Sequence, residues 1–193
     1  MPFEYRTPPS GGRLKQGEIL GSVWEYVPVQ APVEISQETD IRVRSFWHER
    51  MVVLTQDCDL INDFTLRSPD NETLEDLNEV EGDIRSVPSI LLCDLTEDLK
   101  ARLDSGASWK RVSRNQDERY HAFPEALVGV GGEGGSLPEL YLDFRKTLSL
   151  PTPFLYEGLR GGGIARVAVT PQIYLHDLIH RFHGYHSRVA VED

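Results

Sequence analysis

Apolar positions along this chain fall in short clusters rather than in long helical stripes. Residues 17–27 contain Ile19, Val23, Trp24, Tyr26 and Val27, side chains that favour an extended backbone, and predict a strand that Pro28 and Pro32 interrupt. Residues 41–47 alternate in part, as a strand covered on one face does. Met51-Val52-Val53-Leu54 is unbroken and predicts a central strand covered on both faces, and residues 87–95, centred on Ile90-Leu91-Leu92, repeat that signal. Further strands are predicted at residues 126–130, 140–144 and 164–169.

Helical spacing is sparser. Residues 72–80 place Leu74, Leu77 and Val80 three apart, a short amphipathic turn. At residues 96–103, Thr96 is positioned to cap a helix whose first turn carries Glu97 and Asp98, where the helix dipole favours negative charge. The clearest helix is predicted over residues 171–185. Thr170 stands at its cap and Pro171 at its first position, where a missing N–H costs nothing. Tyr174, Leu178, Phe182 and Tyr185 share one face, widened by Leu175 and Ile179, and that face is expected to dock on the sheet.

Residues 1–13, rich in Pro and Gly, read as a flexible tail, and residues 14–193 as a single globular domain. The fold class is α+β and mainly β: a small curved sheet or SH3-like barrel with a C-terminal amphipathic helix packed on it. Two glycine-rich loops, residues 129–135 and 161–163, lack the layout that leads into a helix and cradles phosphate.

Charge changes the picture more than composition does. A net charge of −11 disfavours a nucleic-acid partner, which demands a concentrated positive surface. The charge is also uneven: residues 70–83 hold seven acidic side chains and no Lys or Arg, while residues 100–119 hold six basic against three acidic. The first stretch suits a basic partner. The second suits an anion or nucleic acid, with Lys110, Arg111, Arg114 and Arg119 as candidate contacts. No apolar run approaches the ~20 residues of a membrane span, and the N-terminus carries no apolar leader. Two cysteines, Cys58 and Cys93, make a poor disulfide framework. These features predict a cytoplasmic chain with no membrane association and no cofactor.

The string Thr55-Gln56-Asp57-Cys58-Asp59-Leu60-Ile61-Asn62-Asp63 follows a predicted buried strand. The flanking Asp57 and Asp59 disfavour a thiolate at Cys58. Asp57, Asp59 and Asp63 lack the spacing of a calcium loop. The favoured reading is a turn whose Asp and Asn side chains bond their own backbone, with Cys58 tucked inward. His176, His180 and His183 fall on one side of the C-terminal helix, opposite its apolar face, with His186 following. The zinc motif H-E-x-x-H is absent, so a solvent-facing stripe is favoured over a metal site. Arg119-Tyr120-His121 reads as structural.

Three segments resemble, in the same order, the MazF/PemK family of toxin–antitoxin proteins, SH3-like barrels that cut RNA. They are Gln16-Gly17-Glu18-Ile19, Arg50-Met51-Val52-Val53-Leu54-Thr55 and Leu91-Leu92-Cys93-Asp94-Leu95-Thr96. The resemblance is confined to the N-terminal half. It implies a barrel core over about residues 14–104 with a C-terminal extension over about 105–193. It also implies catalytic roles for Arg50 and Thr96, the guanidinium stabilising charge on a phosphate and the hydroxyl orienting it. Met51 stands where the family has a proline after the arginine, and Asp94-Leu95 where another precedes the threonine. Those replacements and the negative charge favour a fold kept and an activity lost. The expected function is a non-catalytic interaction or regulatory accessory protein with a protein partner, in a bacterial stress or defence system. The alternatives are an active endoribonuclease using Arg50 and Thr96, with the basic stretch gripping single-stranded RNA, and a metal-dependent enzyme built on the histidine helix or the aspartates.

Overall fold

A computed structural model describes residues 4–9, 11–29, 42–67, 83–103, 106–129 and 133–188, the side chain of Ala107 excepted. Its elements in chain order are β1 (Glu4–Tyr5), β2 (Glu18–Pro28), β3 (Val43–Val53), α1 (Asp57–Leu66), β4 (Ser89–Thr96), a 3-10 turn (Asp98–Arg102) and α2 (Gly106–Val112). Then follow β5 (Tyr120–Phe123), β6 (Ala126–Val128), β7 (Ser136–Leu137), β8 (Leu140–Pro151), α3 (Thr152–Arg160), β9 (Ala165–Val169) and α4 (Gln172–His186). The helix expected over residues 72–80 lies outside the described residues.

The fold is α+β and mainly β. One sheet has six strands in the order β5-β8-β4-β3-β2-β9, and a second has three in the order β1-β6-β7. Neither closes into a barrel: β5 and β9 are the end strands of the larger sheet and do not pair with each other. The three segments that begin near Gly17, Arg50 and Val87 are neighbouring antiparallel strands at its centre, with Ile19 opposite Val52 and Val52 opposite Cys93. β8 and β9, from the second half of the chain, lie in the same sheet.

The unbroken apolar runs follow from burial on both faces. Ile19, Val52, Cys93 and Leu95 point to one side, into a core shared with Tyr5, Phe123, Val128, Phe144 and Leu178. Leu20, Met51, Val53, Ile90 and Leu92 point to the other, where Leu60 of α1 and Leu155 of α3 complete a second core. A strand between two cores has no polar face, so alternation vanishes from its sequence. As expected, α4 covers the first core with Leu175, Ile179, Phe182 and Tyr185. A third cluster joins Leu99, Val112, Tyr120 and Tyr141 at the β5–β8 end, with Trp109 ringed against Tyr141.

Several local expectations are corrected. The residues read as a tail lie against the sheets from Glu4 onward: Tyr5 is buried and pairs with Val128, and Arg6 bridges Val169. Thr170 does not cap α4, because its hydroxyl donates to the Gly17 carbonyl at 2.6 Å and Pro171 takes the cap position. Thr96 closes β4, and its hydroxyl accepts from the Asp98 N–H at 3.1 Å, which leaves a 3-10 turn where a helix was expected. The string after Leu54 is helix α1 rather than a turn, with Cys58 exposed. Asp63 is its buried polar member: both its oxygens accept from Arg67 Nε, and Oδ1 also accepts from the Val87 N–H at 2.8 Å.

Candidate functional site

Two places carry features that packing alone does not require. The first is a cleft of about 110 Å³ lined by Asp94, Thr96, Leu99, Arg102, Arg119, Tyr120, Asp143 and Lys146. It forms where β4 ends, the chain turns away through the 3-10 turn, and β8 continues past it to β5. The register of β4 on β8 shifts between Cys93 and Leu95, so Asp94 sits at an irregularity in the ladder. Arg119 binds Asp143 through two guanidinium nitrogens, Nε to Oδ1 at 2.8 Å and Nη2 to Oδ2, while lying 4.5 Å over the Tyr120 ring. Lys146 Nζ is 3.9 Å from Asp94 Oδ2.

Asp94 also receives His48 from β3. Nδ1 of His48 lies 3.0 Å from Asp94 Oδ1, and Nε2 lies 3.2 Å from Glu25 Oε2 on β2, so one imidazole spans two carboxylates. The His48 pKa is raised, chiefly by the hydrogen bond to Asp94; burial opposes this and the Glu25 carboxylate adds to it. A raised histidine pKa contributes stability below the ordinary value near 6.5 and loses it as pH rises through the folded value. We expect His48→Gln to cost about 1 kcal/mol at pH 6. Urea melts at intervals up to pH 9 should show the gap to wild type narrowing, and a constant gap would refute the charged bridge.

The second place is the outer half of the β2–β3 pair. β9 pairs with β2 only over residues 18–21, and β4 with β3 only over residues 50–53. Beyond them, residues 23–28 and 43–48 pair with each other alone among the described residues. Ser22, at φ +60°, marks the change: Leu20 and Val23 enter the same core although three apart, so side-chain alternation is broken there. The resulting two-stranded ribbon exposes Trp24 (43%), Tyr26, Val27, Val43, Phe46 and Trp47 (54%). Trp24 stands opposite Trp47 and Glu25 opposite Phe46, which puts aromatic rings on both faces. Only Tyr26 among these rings has a described aromatic neighbour on a helix, Phe154 of α3, edge-on at 6.0 Å.

The residues singled out from sequence are dispersed by the fold. Arg50 faces Leu95 across the ladder, one position from Thr96, whose side chain therefore lies on the opposite face of the sheet. Arg50 Nη1 lies 2.7 Å from both Glu49 Oε1 and Glu97 Oε1. Lys110 and Arg111 sit exposed on α2, Arg114 is exposed just after it, and only Arg119 reaches the cleft. His176, His180 and His183 are exposed along α4, and His183 and His186 lie against the Phe182 ring. Among the described residues no group of three or more His, Cys, Asp or Glu is arranged to hold a metal ion. His121 is buried beside Phe123, and burial together with Arg181 pushes its pKa down to about 3.

Sequence reasoning missed the ribbon. Its trace was present: Val23-Trp24 and Phe46-Trp47 put aromatic and aliphatic residues at successive positions, which leaves neither face polar. The pattern reads only as a strand over residues 17–27 and a strand covered on one face over residues 41–47. Among the described residues no helix is long and apolar enough to cross a membrane. No protein-family model matches this chain, and no curated protein is significantly similar to it.

Proposed function

We propose that this chain is a non-catalytic interaction module, an accessory or regulatory protein whose protein partner docks on the β2–β3 ribbon. One observation carries the reading: a ribbon two strands wide holds Trp24, Tyr26, Phe46 and Trp47 in solvent, on both faces. A lone pair of strands is marginal in water, and an apolar patch of this kind marks an interaction surface. Tryptophan and tyrosine are also the side chains that most often dominate binding energy.

Kinship with the MazF/PemK toxins remains part of the proposal. It is supported by the adjacency of β2, β3 and β4, the strands that bear the three similar segments. The same arrangement speaks against nuclease activity. A guanidinium bound by Glu49 and Glu97 has little left to offer a phosphate, and Asp94 and Asp143 line the neighbouring cleft. On that kinship the partner belongs to a bacterial stress or defence pathway.

Full-length protein expressed in its native host should copurify with a stoichiometric partner. The double variant Trp24→Ser/Trp47→Ser should weaken that complex by at least about tenfold while its far-UV spectrum stays unchanged. An undiminished complex would remove the ribbon from the reading. In parallel, wild type and Arg50→Ala should be equally inert toward single-stranded RNA; cleavage by wild type alone would establish the endoribonuclease instead.

A further inference from the structure

The exposed edge of β3 offers more than apolar side chains. The Val29 N–H donates to the Arg42 carbonyl at 2.9 Å, and residues 23–28 pair with residues 43–48 without a shift in register. In an antiparallel ladder the residues that bond inward alternate with those that bond outward. Arg42, Arg44 and Phe46 therefore turn their backbone groups toward β2, and Val43, Ser45 and Trp47 turn theirs outward. No strand among the described residues receives them. The opposite edge of the ribbon is poorer, because Pro28 lacks an N–H and α3 approaches it through Phe154.

Charge specifies the occupant. Arg42 and Arg44 are exposed, and no carboxylate of the described residues pairs with either. Glu25, the acidic residue of β2 on this ribbon, is engaged by His48. The open edge ends at that bridge, where His48 reaches across to Asp94 of β4. Side chains of an added strand would meet Arg44 and Phe46 on one face, and Val43 and Trp47 on the other.

Resting on the interaction-module reading, we propose that β3 receives an extended segment of the partner protein as an added antiparallel or parallel strand. That segment alternates apolar with acidic side chains. Its backbone bonds the outward groups of Val43, Ser45 and Trp47, its acidic side chains meet Arg44, and its apolar ones cover Trp47. A polyanion such as RNA matches the arginines and rings but makes no use of the ladder, and the rest of this acidic molecule repels it.

The test uses the full chain and a labelled peptide alternating valine and glutamate, read by fluorescence anisotropy. Its valine–lysine counterpart, a version methylated on alternate backbone nitrogens, and oligouridine serve as comparisons. Binding should favour the glutamate peptide over the lysine peptide by about tenfold or more, and Arg44→Glu should reverse that order. Ser45→Pro, which removes one outward N–H and leaves the inward ladder intact, should weaken binding by about tenfold, as should backbone methylation of the peptide. An absence of glutamate-peptide binding, indifference to backbone methylation, or tighter binding of oligouridine would each overturn strand addition. If any of these occurs while the native complex still depends on Trp24 and Trp47, only strand addition fails. Loss of that dependence is what removes the ribbon, and strand addition with it, from the interaction-module reading.

Discussion

Replacing Arg166 with methionine is expected to destabilise the chain by about 3–5 kcal/mol, the loss seen when one partner of a buried ion pair is removed. Glu18 is 0% exposed, and the Arg166 guanidinium meets both its carboxylate oxygens, with Nη2 at 2.7 Å from Oε2. The same guanidinium donates to the carbonyls of Pro9, Gly12 and Arg13 at 2.8, 2.6 and 2.7 Å. One side chain on β9 thus neutralises the first residue of β2 and ties the N-terminal segment to the sheet. Methionine keeps most of the packing volume but leaves a buried carboxylate with the Lys15 N–H, 3.0 Å away. Calorimetry should show the midpoint falling by roughly 6–20 °C for a chain of this size. Adding Glu18→Gln should recover part of the loss, since a neutral amide tolerates burial better than an unpaired charge. A drop of under about 1 kcal/mol in the single variant would mean that Glu18 is solvated by another route.

Gly17→Ala carries the second largest effect, about 2–3 kcal/mol, combining left-handed backbone strain with overpacking. Gly17 has φ +77°, and a Cβ there would lie 2.7 Å from Leu175 Cδ1 and 3.3 Å from Thr170 Cβ. Its N–H donates to Val53, and its carbonyl accepts from both the N–H and the hydroxyl of Thr170, so the backbone cannot shift to make room without breaking the join between β2, β3 and the start of α4. Gly11 is the internal control: its φ is +69° and no atom lies within 4 Å of a built Cβ, so Gly11→Ala should show the strain alone, about 1 kcal/mol. Equal losses in chemical denaturation would show that the contact with Leu175 relaxes freely. The glycine that contributes to the resemblance with MazF/PemK proteins thus has a structural reason to be glycine in this chain.

Arg50 and Thr96 show how strand register decides which side chains meet. Arg50 faces Leu95 across the ladder, so the Thr96 side chain, one position on, turns to the other face of the sheet. The carboxylates of Glu49 and Glu97 both meet Arg50 Nη1. Glu97 follows Thr96 in the chain and comes close only because β4 runs antiparallel beside β3. Ion pairs of this kind depend on strand register, and register is invisible until strands are paired.

The central strands and the C-terminal helix were legible because their signals are local. Ile90-Leu91-Leu92 and Met51-Val52-Val53-Leu54 can be satisfied only between two cores, and the apolar face of α4 repeats at helical spacing. Helix α1 was not legible. Its buried face holds little more than Leu60 and Asp63, and Asp63 is a helix-face residue only because Arg67 and the Val87 N–H bind its carboxylate. The length of β8 was hidden in the same way: Arg145, Lys146 and Thr147 look like a loop, but Cys93 and Leu92 of β4 pair with Thr147 and Leu148 and carry the strand on to Pro151.

By itself, then, the amino-acid order determined the class of fold, the doubly covered strands and the docking face of the last helix, because each follows from where nearby apolar side chains must go. Only the tertiary structure decided which charges meet and which hydrophobic residues stay outside. Glu18 and Arg166 are 148 positions apart and His48 and Asp94 are 46 apart, separations that no local pattern spans. Residues 23–28 and 43–48 read as ordinary strands, and only the neighbouring strands' stopping short of them shows that their aromatic side chains stay exposed. Whether an apolar side chain is buried depends on what the rest of the chain brings to cover it, and at this ribbon no described residue brings enough.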